Sequence, residues 1–187
     1  MDVLAVVLAP LLGVVGIFIG YVLSSKREDR VIRRELSLQR YREGQALFDE
    51  LIMAAGNRFT ALQRWLWSVE DPSMYANRPV RDEYFVLVQQ WNASTWSLRA
   101  RLRIHLGDDA ADRFLDYEDD RRPEPRSLHY QFVVAHSAVL AAEVATSTVD
   151  EVQVRVDQLN HAWSSFADDI AVELAHRARL LSEPAVS

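Results

Sequence analysis

The stretch Phe48–Val69, FDELIMAAGNRFTALQRWLWSV, decides how this chain folds. Its apolar residues Phe48, Ile52, Ala55, Phe59, Leu62, Leu66 and Val69 recur at alternating steps of four and three. That spacing keeps one stripe of a helix apolar and is the signature of left-handed packing in a bundle or coiled coil. Leu38 and Tyr41 extend the register backward, with interruptions at Arg34 and Gln45. Gly44 and Gly56 each weaken a helix by about 1 kcal/mol relative to Ala, so bends are expected there. The helix is expected to end near Glu70, because Pro72 and Pro79 in the loop Asp71–Pro79 prevent its continuation.

Further along, a second helix is expected over Arg81–Leu106, with Tyr84, Val88, Trp91, Leu98 and Leu102 on its inner face. Gly107 reads as a stop and Asp108 as the N-cap of a short third helix through Phe114 and Leu115. Seven charges and two prolines within Glu118–Arg126 predict an exposed loop. A fourth helix opens at Ser127 and buries Phe132, Ala135, Val139 and Ala142. Thr148 and Glu151 form a capping box that launches the last helix. Its seam is Val149, Val152, Val156, Leu159, Trp163, Phe166, Ile170 and Leu174. Four long amphipathic helices and a short one most simply form an antiparallel four-helix-type bundle.

Upstream of the seam, Val3–Leu23 reads VLAVVLAPLLGVVGIFIGYVL, an unbroken apolar run. As a helix it is roughly 31 Å long, the thickness of a bilayer's hydrocarbon core. It lacks the basic n-region and small-residue cleavage site of a signal peptide, so a retained transmembrane helix is expected. Lys26, Arg27, Arg30, Arg33 and Arg34 follow it, which by the positive-inside rule places the N-terminus outside and the rest in the cytoplasm. Ala5, Ala9, Gly13, Gly16, Gly20 and Ser24 line one stripe of this segment and include a GxxxG match, the pattern of self-association within lipid. The expected fold class is therefore all-α: one N-terminal transmembrane helix, then a four-helix-type bundle with one extra short helix. The expected division is an anchor over 1–25, a basic juxtamembrane helix over 26–43, a bundle over 44–181 and a flexible tail over 182–187.

Charge is segregated. Lys26–Glu43 holds seven basic and four acidic residues, whereas the chain from Gly44 onward holds 14 basic and 22 acidic ones. The acidic part argues against nucleic acid as a partner, and the basic collar suits anionic lipid headgroups. Arg99, Arg101 and Arg103 read as a solvated helix surface. No cysteine is present, so disulfides and thiolate chemistry are excluded. Of 21 basic residues only Lys26 is a lysine, and the Arg-, Ala- and Val-rich composition suggests a bacterial source.

Nothing in the chain announces an enzyme. Glu173-Leu174-Ala175-His176 is a single Glu-x-x-His pair where a di-metal bundle needs two, and there is no nucleophile elbow or phosphate loop. No catalytic residue, metal or cofactor is assigned. Five tryptophans are many for this length. Trp65 and Trp67, with Tyr75 in the neighbouring loop, are the expected partner surface. The expected protein is a single-pass inner-membrane protein whose cytosolic bundle serves as a scaffold, adaptor or regulatory subunit. Its expected partners are the lipid bilayer, a protein and a second copy through the span. The alternatives are an oligomerising membrane effector and a small-ligand sensor.

Overall fold

The computed structural model describes the backbone of residues 3–73, 77–116 and 127–182, and the side chains of 28, 31–73, 78–116 and 127–182. Five helices follow one another: α1 (Val3–Glu70), α2 (Asn77–Leu106), α3 (Asp108–Phe114), α4 (Leu128–Glu143) and α5 (Val149–Ser182). No strand occurs among the described residues. The chain divides into two units, Met1–Arg40 and Tyr41–Ser187.

Within the first unit the described side chains are almost all exposed, including Val31, Ile32 and Leu36. The expected transmembrane helix requires correction. Among the described residues no helix is long and apolar enough to cross a membrane. The continuity expected of the first helix is present: the run over 3–23 forms the opening turns of a 68-residue helix, Val3–Glu70. The side chains of Ala5, Ala9, Gly13, Gly16, Gly20, Ser24, Lys26, Arg27 and Arg30 lie outside the described residues, while Arg33 and Arg34 are exposed.

The second unit is a helical bundle whose apolar core runs from Leu47 to Leu174. Its topology follows from cross-helix pairs. On α1 and α2, Glu43 pairs with His105, Glu50 with Arg101 and Arg64 with Glu83, so those helices are antiparallel. Between α2 and α4, Arg81 meets Glu143 and Trp91 meets His129, again antiparallel. A tight turn then reverses the chain into α5. At 16 residues α4 is about 24 Å long, half the length of α5 at 34 residues and about 51 Å. The short α3 makes up the difference: Phe114 is fully buried against Trp91 at 5.5 Å and Phe166 at 6.4 Å.

Local signals place the ends. Ser127 caps α4 by accepting from the Tyr130 amide. The capping box of α5 is present in both directions: the Glu151 amide donates to Thr148 Oγ1 at 3.3 Å, and the Thr148 amide donates to Glu151 Oε2 at 3.0 Å. Those bonds hold the Glu151 carboxyl below its usual range. At the end of α4 the Thr146 amide donates to the Ala141 carbonyl and the Ala145 amide to that of Ala142, a Schellman motif. Its left-handed position, normally glycine, is Ala145 at φ 60°.

Three boundaries differ from the sequence reading. Helix α2 begins at Asn77 rather than Arg81, because Pro79 falls in the first turn, where a missing amide is harmless. The cap of α3 is Gly107, at φ 103°, and Asp108 is already helical, with its carboxylate on Arg103 at 2.5 Å. On α1 the buried face keeps Ala55, Leu62 and Leu66 of the expected seam and adds Leu47, Leu51, Arg58 and Trp65. Phe48, Phe59 and Val69 pack beside it, partly buried. Arg58 is buried where the apolar spacing placed Phe59, which is only partly covered. The loop Glu118–Arg126 lies outside the described residues.

Candidate functional site

The interior of the bundle is not uniformly apolar. Arg58 is only 2% exposed, and its guanidinium carbon stands 4.5 Å from the Phe132 ring centroid and 5.3 Å from that of Trp91. Helix α1 supplies Arg58 and Trp65, one heptad apart, α2 supplies Tyr84, Phe85 and Trp91, and α4 supplies Phe132 and His136. Next to it the rings of Trp65, Tyr84, Phe85 and His136 lie within 5.3–6.0 Å of one another, with Tyr84 stacked on His136.

Among the described residues seven buried side-chain nitrogens and oxygens lack a hydrogen-bond partner, and five belong to this cluster. They are Arg58 Nε and Nη1, Trp65 Nε1, the Tyr84 hydroxyl and His136 Nδ1. The Tyr84 hydroxyl and the Arg58 guanidinium are close enough to affect each other's proton affinity, but no hydrogen bond of good geometry joins Tyr84 to Arg58 Nε or Nη1. Burial lowers the proton affinity of Arg58, and the Tyr84 hydroxyl offsets part of that. Burial pushes the Tyr84 phenol up, held back by Arg58. His136 is pushed below the ordinary imidazole range, by burial first and then by the Arg58 charge. Unpartnered buried polar groups cost about 1–3 kcal/mol each, so five at one place is a strong departure from ordinary core packing.

Arg99 departs from its expected solvated position for the opposite reason. It is buried and fully used: Nε donates to the Leu115 carbonyl at 2.7 Å and Nη2 to Asp112 Oδ1 at 2.6 Å. It fastens α3 and the chain after it onto α2. Its neighbours do face outward, Arg101 to Glu50 and Arg103 to Asp108 and Asp112.

On the surface, α2 and α4 stand out. Helix α4 carries no Asp, Glu, Lys or Arg over the 15 residues Leu128–Ala142, and α2 none over the 14 residues Phe85–Leu98. An exposed helix face is normally charged. Here the outward residues of α4 are Val133, Ser137, Leu140 and Val144, at steps of four, three and four, with Leu140 40% and Val144 62% exposed. The outward face of α2 holds Val86, Ala93, Trp96, Ala100 and Ile104 beside the uncharged polar residues Gln89, Gln90, Asn92 and Ser97, with Trp96 54% exposed.

Two of the three residues expected as a partner surface, Trp65 and Trp67, are described. Trp65 is fully buried and Trp67 is 43% exposed, which puts them on opposite sides of α1. Tyr75 lies outside the described residues. An open cleft of about 310 Å³ between α3 and α5 is lined by Asp109, Arg113, Phe166 and Asp169 among others, with Arg113 already paired to Asp169. Among the described residues no three His, Asp or Glu side chains gather where they could hold a metal ion.

Pattern-reading for seams missed both features that matter. Arg58 fits the register of the α1 seam in place of an apolar residue, and a charge at such a position is itself a signal. The uncharged runs on α2 and α4 were legible as runs, but which side of each helix stays outside follows only from the packing. No family model, curated protein or solved structure matches the chain.

Proposed function

We propose that this chain is a protein-binding helical bundle, a scaffold, adaptor or regulatory subunit, and that the outward faces of α2 and α4 are its docking surface. One observation carries the reading: two neighbouring helices are uncharged over 14 and 15 residues while their outward side chains remain open to solvent, in a chain that is 26% charged. The solvent side of a bundle helix ordinarily carries charge, and a long uncharged stretch there is ordinarily covered. The stripe Val133, Ser137, Leu140, Val144 has the spacing that receives another helix, and Trp96 is the kind of aromatic side chain that anchors interfaces. The expected partner is a protein presenting an amphipathic helix, and the role is binding rather than catalysis.

The test is a photo-crosslinking amino acid placed at Leu140 in the full chain, expressed in its native cells, with the same substitution at the exposed Asp157 of α5 as control. A discrete adduct at 140, absent at 157 and lost when Val133 and Val144 are both changed to Glu, is the expected result. Its mass distinguishes a second copy of this chain from another protein. Equal or absent adducts at both positions, with the chain folded, would remove the reading.

A further inference from the structure

We propose that the bundle core binds a small monovalent oxyanion, a carboxylate group of about the size of formate, held by Arg58, Tyr84 and Trp65. The argument is one of charge and of donors. Arg58 is 2% exposed and forms no ion pair among the described residues, and two of its three nitrogens are buried without a partner. A guanidinium stays protonated in proteins, so its charge cannot be shed to escape desolvation. The faces of Trp91 and Phe132 attract it but accept no hydrogen bonds. Donors also outnumber acceptors. Arg58 Nε–H, the Arg58 Nη1 hydrogens, the Trp65 indole N–H and the Tyr84 O–H are all unused, whereas only the Tyr84 oxygen and one imidazole nitrogen of His136 could accept.

A carboxylate supplies both missing quantities, one negative charge and two oxygens with about four acceptor directions. Water supplies two acceptor directions but no charge, so it leaves the guanidinium without a counter-ion. The ligand must be small and singly charged. Leu62, Trp65, Tyr84 and Phe132 are fully buried, and of the two guanidinium groups at the cluster Arg81, over Phe85, is already paired with Glu143, which leaves Arg58 as the one cation there without an ion pair among the described residues. His136 does not add a second charge, because burial and Arg58 favour its neutral form. The site is independent of the docking face proposed above.

The experiment uses the full chain at fixed ionic strength, with fluoride replaced stepwise by formate and, separately, by chloride. The wild-type unfolding midpoint is expected to rise with formate and to saturate. Arg58→Met is expected to lose the saturable part, and Tyr84→Phe to shift the half-saturating concentration upward roughly three- to tenfold. Tyr84→Phe keeps the ring packing, so it decides the matter should Arg58→Met fail to fold. A wild-type response that is linear and shared by both variants would show a bulk salt effect and overturn the site. Saturation by chloride at the same concentrations would overturn the two-oxygen assignment.

Discussion

At position 58 two effects oppose each other, and their sizes decide a prediction. Taking a guanidinium out of water costs several kcal/mol even after relaxation. Stacking against the two aromatic faces returns about 2 kcal/mol per contact and leaves the guanidinium's hydrogen-bond donors unanswered. With no anion present the desolvation term wins, so Arg58→Met is expected to raise the unfolding free energy in urea by roughly 1–2 kcal/mol. A clear loss of stability would mean that the guanidinium is a net stabiliser where it stands. His136 gives a second prediction at this scale. It faces Arg58, Trp65, Tyr84 and Phe85, and its proton affinity is depressed below the ordinary value of 6.5. The unfolded chain therefore takes up this proton first as pH falls. The contribution of His136 to stability is complete above about pH 6.5 and declines below it. His136→Phe is expected to flatten the stability profile between pH 7 and 5 relative to wild type. Parallel profiles in denaturant titrations would contradict the assignment.

Helix ends are where single backbone angles matter most. Ala145 carries a side chain in the left-handed region that closes the Schellman motif of α4, a conformation that costs an L-residue roughly 1 kcal/mol. Gly107 adopts φ 103° between α2 and α3, and a Cβ there would meet nothing within 4 Å, so any penalty is purely one of backbone. The two sites predict opposite outcomes: Ala145→Gly stabilises by about 0.5–1 kcal/mol, and Gly107→Ala destabilises by about 1–3 kcal/mol. Thermal unfolding of both single variants checks the pair, and a shift of the same sign in both would refute it. The element scale also explains α3. Because α4 covers only about half the length of α5, Phe114 and the Arg99 bonds carry a seven-residue helix into a position that a full-length fourth helix would otherwise fill.

Taken as a whole, the unit Tyr41–Ser187 contains every buried apolar side chain among the described residues, from Leu47 to Leu174. About 147 residues around one core are enough to fold alone. A fragment spanning 41–187 is therefore expected to unfold in one cooperative step, with a midpoint within a few degrees of the full chain's; a broad, early transition would show that the core depends on the preceding residues. Much of this architecture was legible in the sequence. The 3–4 periodicity of α1 and α5, the Thr148–Glu151 box and the Ser127 cap depend on residues a few positions apart, so local order determines them. The apolar run over 3–23 was read from hydropathy alone, and no helix among the described residues is long and apolar enough to cross a membrane. What the tertiary structure alone decided is which way each face turned. It widened the α1 seam to take in Leu47, Leu51 and Trp65, brought a guanidinium beneath the rings of Trp91 and Phe132, turned Arg99 inward and left the uncharged flanks of α2 and α4 uncovered. Those outcomes arise because a side chain's neighbours across a bundle lie tens of residues away, and the balance of desolvation, packing and charge among them is settled only when the helices meet.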